Sequence, residues 1–202
     1  MYRLQMKLQR IITYLCLAAA GLTFIYSLGV STDTYFLYKV LAIKSTFKGA
    51  EMFYAMQPFN KEFTKYSLIL IILAVSGLVF NNHTRRKYYI ANYCTTVISS
   101  VANIAVAIWG LVNVFYYKAM FLAVDFTELT DLLKSAPASV FVRNGLDPEN
   151  LAGPYSTFWF DISAVVFGIL IVVTLLNLFN MIWKIDVMNK EKRALRKRGK
   201  RV

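Results

Sequence analysis

Four long stretches of the sequence contain no Asp, Glu, Lys or Arg, and they constrain the fold most strongly. They are residues 11–32, 66–84, 88–117 and 162–183. An α-helix crosses the hydrocarbon core of a bilayer with about 20 mainly apolar residues. The sequence therefore predicts an all-α integral membrane protein, a four-transmembrane-helix bundle in one domain over residues 1–202, with spans at about 11–31, 66–83, 89–116 and 160–183.

The composition agrees with lipid as the main solvent of the chain. Of the 202 residues, 57% are hydrophobic and 17% are charged, whereas soluble domains average about 45–50% apolar and about 25% charged. A net charge of +12 is also typical of nucleic-acid-binding proteins. We do not expect nucleic acid as a partner, because most of the surface is assigned to lipid.

Basic residues are concentrated on one side of the predicted bundle. Three precede the first span, three form the turn at residues 85–87, and nine lie between residues 184 and 201, which makes 15 of the 23. The other eight are spread over two long loops, at about 32–65 and 118–158. Cytoplasmic segments are enriched in Lys and Arg. We therefore predict a multi-pass protein of the cell membrane, with both termini cytoplasmic and both long loops extracytoplasmic.

The first apolar stretch also has features of a secretory signal peptide. It follows Arg3, Lys7 and Arg10 and contains the small residues Ser27 and Gly29 near its end. The apolar region of a signal peptide is about 7–15 residues long, which is shorter than this stretch. We expect an uncleaved first span, with a cleaved leader as the alternative.

Both extracytoplasmic loops contain the pattern of a short amphipathic helix. In the second loop, Asp125 and Glu128 are placed to begin a helix, and Pro137 is placed to end it. In the first loop, a helix that ends at Pro58 is predicted by apolar residues at steps of four and three, namely Phe36, Val40, Ile43, Phe47, Ala50 and Tyr54.

Small and uncharged polar residues follow one face of the third span, again at steps of four and three. Small residues let membrane helices approach closely, and amide side chains form hydrogen bonds between helices. We predict that this polar stripe packs the bundle together, and a polar path for a solute is the alternative. The stripe consists of Asn92, Thr96, Ser99, Asn103, Gly110 and Asn113, with Val106 at the step between Asn103 and Gly110 and with Asn177 of the fourth span as a further member.

The segment after the fourth span, residues 184–202, is predicted to be a basic cytoplasmic tail. Clustered cytoplasmic Lys and Arg attract anionic lipid headgroups. The residues expected to contact anionic lipid are Lys190, Lys192, Arg193, Arg196, Lys197, Arg198, Lys200 and Arg201.

No pattern in the sequence indicates catalysis or metal binding. His83 is the only histidine, and it lies beside basic residues without nearby Cys or carboxylate ligands. Cys16 and Cys94 lie in apolar stretches and are expected to be buried as small hydrophobic residues. No phosphate-binding loop or nucleophile motif is present. We expect no catalytic site, no cofactor and no metal.

These features predict a non-enzymatic protein that acts through its surfaces. The favoured function is that of an accessory or scaffold subunit of a larger membrane complex. Its expected partners are the bilayer, including anionic lipids, and another membrane protein or a second copy of itself. A small transporter or channel with a path along the third span is one alternative. A membrane-bound sensor that uses its external loops is another.

Overall fold

The computed structural model of the protein describes residues 2–40, 47–83, 90–135, 139 and 155–199. These residues are mostly helical, and no strand occurs among them. Four helical units are long and apolar enough to cross a membrane, namely α1, α2, α3 and the pair α5–α6. In chain order the helices are α1 (Tyr2–Val40), α2 (Glu51–His83), α3 (Ile90–Leu122), α4 (Phe126–Ser135), α5 (Phe158–Asp161) and α6 (Ser163–Gly199).

The long helices pack as a four-membered bundle. Helix α1 contacts α2 and α6, and α3 contacts the same two helices. Hydrogen bonds show that α2 runs back along α1: Ser27 Oγ lies 3.0 Å from Ser67 Oγ, and Asn60 donates to Thr34 Oγ1 at 2.6 Å. Each long helix therefore has two neighbours, and side chains of all four helices meet along the bundle axis.

Helix α1 turns a face of mainly small and polar residues into the bundle along almost its whole length. Its outer side carries exposed apolar residues such as Leu4, Ile11 and Ile25. Small side chains let the neighbouring helices approach closely. Nine buried residues follow steps of four and three, and Ile12, Ala19 and Tyr26 are buried beside them. The nine are Gln5, Gln9, Thr13, Cys16, Ala20, Thr23, Ser27, Val30 and Thr34.

The prediction that a separate loop helix ends at Pro58 is wrong. Helix α1 continues to Val40, and α2 begins at Glu51 and runs through Pro58. A proline inside a helix costs about 3 kcal/mol, because it lacks an N–H group and crowds the preceding turn. Burial of one large apolar side chain contributes about 1.5–3 kcal/mol, and α2 buries four around this position, namely Phe53, Met56, Phe59 and Phe63.

Side chains also supply hydrogen bonds to the backbone beside Pro58. The Gln57 amide donates to the Phe53 carbonyl at 3.1 Å, and the Tyr117 hydroxyl donates to the Ala55 carbonyl at 2.9 Å. Pro58 has no N–H group to donate to the carbonyl of Tyr54, four residues earlier, so the two bonds support the turns on either side of that carbonyl and do not replace the lost bond.

Helix α4 is joined to the segment that precedes α2. The Asp125 carboxylate accepts hydrogen bonds from the backbone N–H groups of Thr127 and Glu128, both at 3.1 Å, and so caps the helix. Glu128 Oε2 accepts from the Lys48 backbone N–H at 3.1 Å, and the Lys48 carbonyl accepts from the Asp125 N–H at 3.0 Å. Pro137, the predicted end of this helix, lies outside the described residues.

Aromatic rings fill the half of the bundle on the α4 and α5 side. The fully buried ring of Phe63 has four aromatic neighbours with centroids 5.6–6.4 Å away, a spacing that favours attraction between rings. We call these five residues the aromatic plug, and they are Tyr26, Phe59, Phe63, Trp109 and Phe167. The Tyr26 hydroxyl donates to the Trp159 carbonyl at 2.9 Å, so its polar atom is satisfied.

Candidate functional site

The opposite half of the bundle, where α1 begins, contains a network of side-chain amides. The Gln5 amide donates to Gln9 Oε1 at 3.2 Å and to Asn180 Oδ1 at 3.3 Å. Gln9 in turn donates to Asn81 Oδ1, and Asn81 donates to Thr13 Oγ1 at 2.6 Å. These five residues, which we call the amide network, connect α1 with α2 and α6.

Helix α3 joins the bundle interior through its own polar residues. The Asn103 amide donates to Thr174 Oγ1 of α6 at 3.0 Å, and Thr174 donates to the carbonyl of Leu170 at 2.7 Å. Asn103 is only 7% exposed, so its side chain lies between helices. A buried amide bonded to a neighbouring helix is the arrangement expected of a packing contact.

The described residues of this half of the bundle enclose a pair of small cavities that are both lined by Asn81, Thr96 and Asn177. Their volumes are about 20 Å³ and about 10 Å³, which gives each room for about one water molecule. Five buried polar atoms have no hydrogen-bond partner among the described residues of this half, namely Gln5 Oε1, Asn92 Oδ1, Ser99 Oγ, Ser100 Oγ and Lys184 Nζ.

The structure brings together five of the seven residues of the predicted stripe. The other two lie elsewhere: Gly110 packs against the ring of Phe167, and Asn113 donates to the Trp109 carbonyl of its own helix at 2.8 Å. Asn113 therefore bonds along α3 and not across to another helix. The five that line the cavities are Asn92, Thr96, Ser99, Asn103 and Asn177.

The part of the site on α1 and the end of α6 was missed in the sequence. Gln5 and Gln9 precede the first predicted span, and Lys184 is the first residue of the predicted basic tail. A signal was present, because the polar and small residues of α1 keep their steps of four and three from Gln5 to Thr34. That periodicity indicates a buried helix face whether or not charged residues interrupt the sequence.

The basic residues near the C-terminus belong to α6, which continues as a helix to Gly199. The side chains of Lys190, Lys192 and Arg193 are exposed, and Lys190 pairs with Asp186 at 2.7 Å. Three more of the predicted lipid-contacting residues, Arg196, Lys197 and Arg198, lie on the same helix. Lys200 and Arg201 lie outside the described residues.

The two cysteines differ in burial. Cys16 is buried, as expected, and faces the cavity beside Thr13. Cys94 is exposed, and the expectation that it is buried is wrong. The polar residues Asn92, Ser99 and Asn103 occupy the inner face of α3, which leaves Cys94 on the outer face.

Comparisons of the chain with protein-family models, with curated proteins and with solved structures find no match. In the part of the chain that the structure describes, no group of three or more His, Cys, Asp or Glu residues is placed to hold a metal ion. The function therefore has to be argued from the arrangement of the helices and their side chains.

Proposed function

We propose that the chain is a non-enzymatic, multi-pass protein of the cell membrane that serves as an accessory or scaffold subunit of a larger membrane complex. The observation that carries this proposal is the use of interior polar side chains for hydrogen bonds between helices, as in Gln9–Asn81 and Asn103–Thr174. A bundle that satisfies these groups internally leaves its outer surfaces to bind lipid and protein partners.

The exterior of the long helices supports the membrane location. Large apolar side chains are exposed on all of them, for example Ile25 at 65%, Ile72 at 57%, Val112 at 64% and Phe179 at 68%. A soluble monomer rarely exposes apolar patches of such extent, whereas hydrocarbon or another membrane helix solvates them well. Together with the excess of Lys and Arg near both termini, this exterior favours insertion with both termini on the cytoplasmic side.

The aromatic plug favours a scaffold over a transporter. Transport along the stripe needs a continuous polar path, but Phe63, Trp109 and Phe167 fill the bundle interior near Gly110. The larger cavity includes Asn103 and no residue of the plug. If the chain were a transporter, the rings of the aromatic plug would have to move apart during transport, whereas a scaffold can keep them packed.

The basic end of α6 is long enough to contact two acidic surfaces, the anionic bilayer near the bundle and a partner protein farther from it. A helix rises 1.5 Å per residue, so Arg198 lies about 20 Å beyond Lys184 along the axis. The attraction of an anionic bilayer decays within a Debye length of about 8 Å. By the same measure Lys190, Lys192 and Arg193 lie about 9–14 Å beyond Lys184. They are closer to the bilayer than Arg198, so we assign them first to anionic lipid, and we assign the distal residues to an acidic surface on a partner.

Purification of the tagged full-length protein in mild detergent tests the proposed function. We expect a second membrane protein to co-purify in a fixed ratio. A variant that lacks residues 190–202 serves as the matched comparison: loss of the partner assigns binding to the basic helix, and retention assigns it to the bundle surface. A homo-oligomer without any second protein would contradict the accessory-subunit function.

Thiol labelling tests two points together, namely whether a solute path follows the stripe and whether the termini are cytoplasmic. In a background without Cys16 and Cys94, single cysteines in the stripe should resist a water-soluble thiol reagent from either side, because each cavity has room for about one water. The stripe positions are Thr96, Ser99, Asn103 and Asn177, all of which line the cavities.

A cysteine at Leu195, which is 67% exposed, is the positive control for this labelling and should react only from the cytoplasmic side. Reaction of all four stripe positions would replace the scaffold proposal with a solute path. Reaction of the Leu195 position from outside would show that the proposed orientation is inverted.

A further inference from the structure

Lys184 places its amino group in the bundle interior without an acidic partner among the residues that the structure describes. The residue is 4% exposed, and its Nζ atom has no hydrogen-bond partner among the described residues. It lines the smaller cavity, whose wall consists otherwise of neutral side chains. The polar groups of that wall include the amides of Gln9, Asn92, Asn177 and Asn180.

No carboxylate in the neighbouring sequence is placed to neutralise Lys184. Asp186 pairs with Lys190 at 2.7 Å, and Glu191 is exposed. Residue 1 and residues 84–89 and 200–202, which adjoin the helix ends in the sequence, contain no Asp or Glu. The counter-charge for a protonated Lys184 must therefore come from outside the chain's own acidic side chains.

Burial of an ammonium group without a counter-charge is strongly unfavourable. The amide and hydroxyl groups around Lys184 are polar but carry no net charge, and one of them, Asn92 Oδ1, itself has no partner among the described residues. A site with an unpaired buried cation next to a small polar cavity is therefore suited to an anionic group that enters from outside.

The position of Lys184 indicates the chemistry of that anion. Lys184 directly follows Trp183 at the predicted end of the fourth span, on the side where 15 basic residues are concentrated. Basic pockets between transmembrane helices on the cytoplasmic side bind phosphate-bearing lipid headgroups, and lysine binds phosphate as a point charge. The cavity of about 10 Å³ admits one oxygen-sized group and not a whole phosphate.

We propose that Lys184 binds one phosphoryl oxygen of a phosphate-bearing anion. This oxygen projects into the smaller cavity, which all four long helices line, while the rest of the anion lies outside. The source of the phosphate is either the headgroup of an anionic phospholipid or a free phosphate compound. Such a site is compatible with a subunit, a transporter or a sensor, so it goes beyond the proposed function and does not depend on it.

Ligand binding to the full-length protein in uncharged detergent tests this site. The probes are phosphatidic acid and inorganic phosphate, each titrated while the thermal unfolding midpoint is followed. A ligand that binds only the folded state raises this midpoint. We expect phosphatidic acid to raise the midpoint of the wild type. The Lys184→Met variant should bind it about ten-fold more weakly or worse, because a hydrogen bond to a charged group is lost.

The Lys7→Met variant is the matched control, since it removes an exposed lysine of α1 at the same end of the bundle, and its affinity should change less than about two-fold, as expected for an exposed charge. Without any phosphate ligand, Lys184→Met should be at least as stable as the wild type, because it removes a desolvated charge. A response to phosphatidic acid alone assigns the site to lipid. A response to inorganic phosphate as well assigns it to the phosphate group itself.

Equal affinity of the wild type and Lys184→Met would overturn the proposal, and so would an equal loss of affinity in Lys7→Met. If Lys184→Met does not fold, phosphorus NMR of the wild type decides the question. A displaced phosphorus signal from about one phosphate per chain supports the site, and a signal unchanged by the protein refutes it.

Discussion

Replacement of Phe63 by alanine should lower the free energy of unfolding by about 3–5 kcal/mol, the usual range for a buried Phe→Ala change. Phe63 is completely buried, and its ring contacts those of Tyr26, Phe59, Trp109 and Phe167. These four neighbours lie on four different helices, α1, α2, α3 and α6. Their backbones are held apart by the bundle, so the rings cannot all move into the space that Phe63 leaves. Unfolding in mixed micelles with increasing dodecyl sulfate, followed by circular dichroism, measures the loss.

Phe179→Ala provides the control for this measurement. Phe179 is 68% exposed on α6, so the same chemical change removes a ring from the outer surface and leaves no internal cavity. We expect a loss below about 1 kcal/mol for this variant, as for most surface substitutions. Equal losses at the two positions would show that the aromatic plug is not a packed core.

A series of glycine-to-alanine variants should separate close packing from open space. At Gly110, an added Cβ atom would lie 2.4 Å from Cζ of Phe167, whose side chain is fully buried and has no room to move away. Overpacking of this kind costs about 1–3 kcal/mol. Gly77 has no atom within 4 Å of the same position, so alanine there should be neutral or should stabilise α2 by up to about 1 kcal/mol.

Gly29 should give an intermediate result in the same unfolding assay. Its added Cβ atom would lie 2.3 Å from the ring of Trp159, but Trp159 is only partly buried, so its ring is less confined than that of Phe167. The expected order of stability is Gly77→Ala, then Gly29→Ala, then Gly110→Ala. A Gly110→Ala variant as stable as Gly77→Ala would contradict the close contact between α3 and α6.

The sequence was sufficient to predict the number of long helices and the inner face of α3. Runs without charged residues mark the four long apolar helices, because a charge in hydrocarbon is costly. The stripe was found because Asn92, Ser99 and Asn103 recur with the period of a helix. Both signals are local properties of one helix, so a single sequence contains them in full.

The features that the sequence did not predict depend on contacts between helices. Pro58 is tolerated because buried side chains on either side of it hold α2 together, which the pattern of one segment does not show. The aromatic plug joins rings from α1, α2, α3 and α6, and no spacing within one helix indicates that they meet. A lysine that follows an apolar span is normally exposed, so the sequence indicated that Lys184 begins the basic tail and not that it is buried.

The continuity of α6 has a mechanical consequence. From Ser163 to Gly199 it is one helix of 37 residues, about 55 Å long, whereas the hydrocarbon core of a bilayer is about 30 Å thick. A helix without a break acts as a lever, so a change of 10° in its tilt displaces Gly199 by about 4 Å relative to Trp183. Whatever binds the basic end of α6 is thereby coupled to the inclination of the fourth span, and force applied at either end is transmitted to the other.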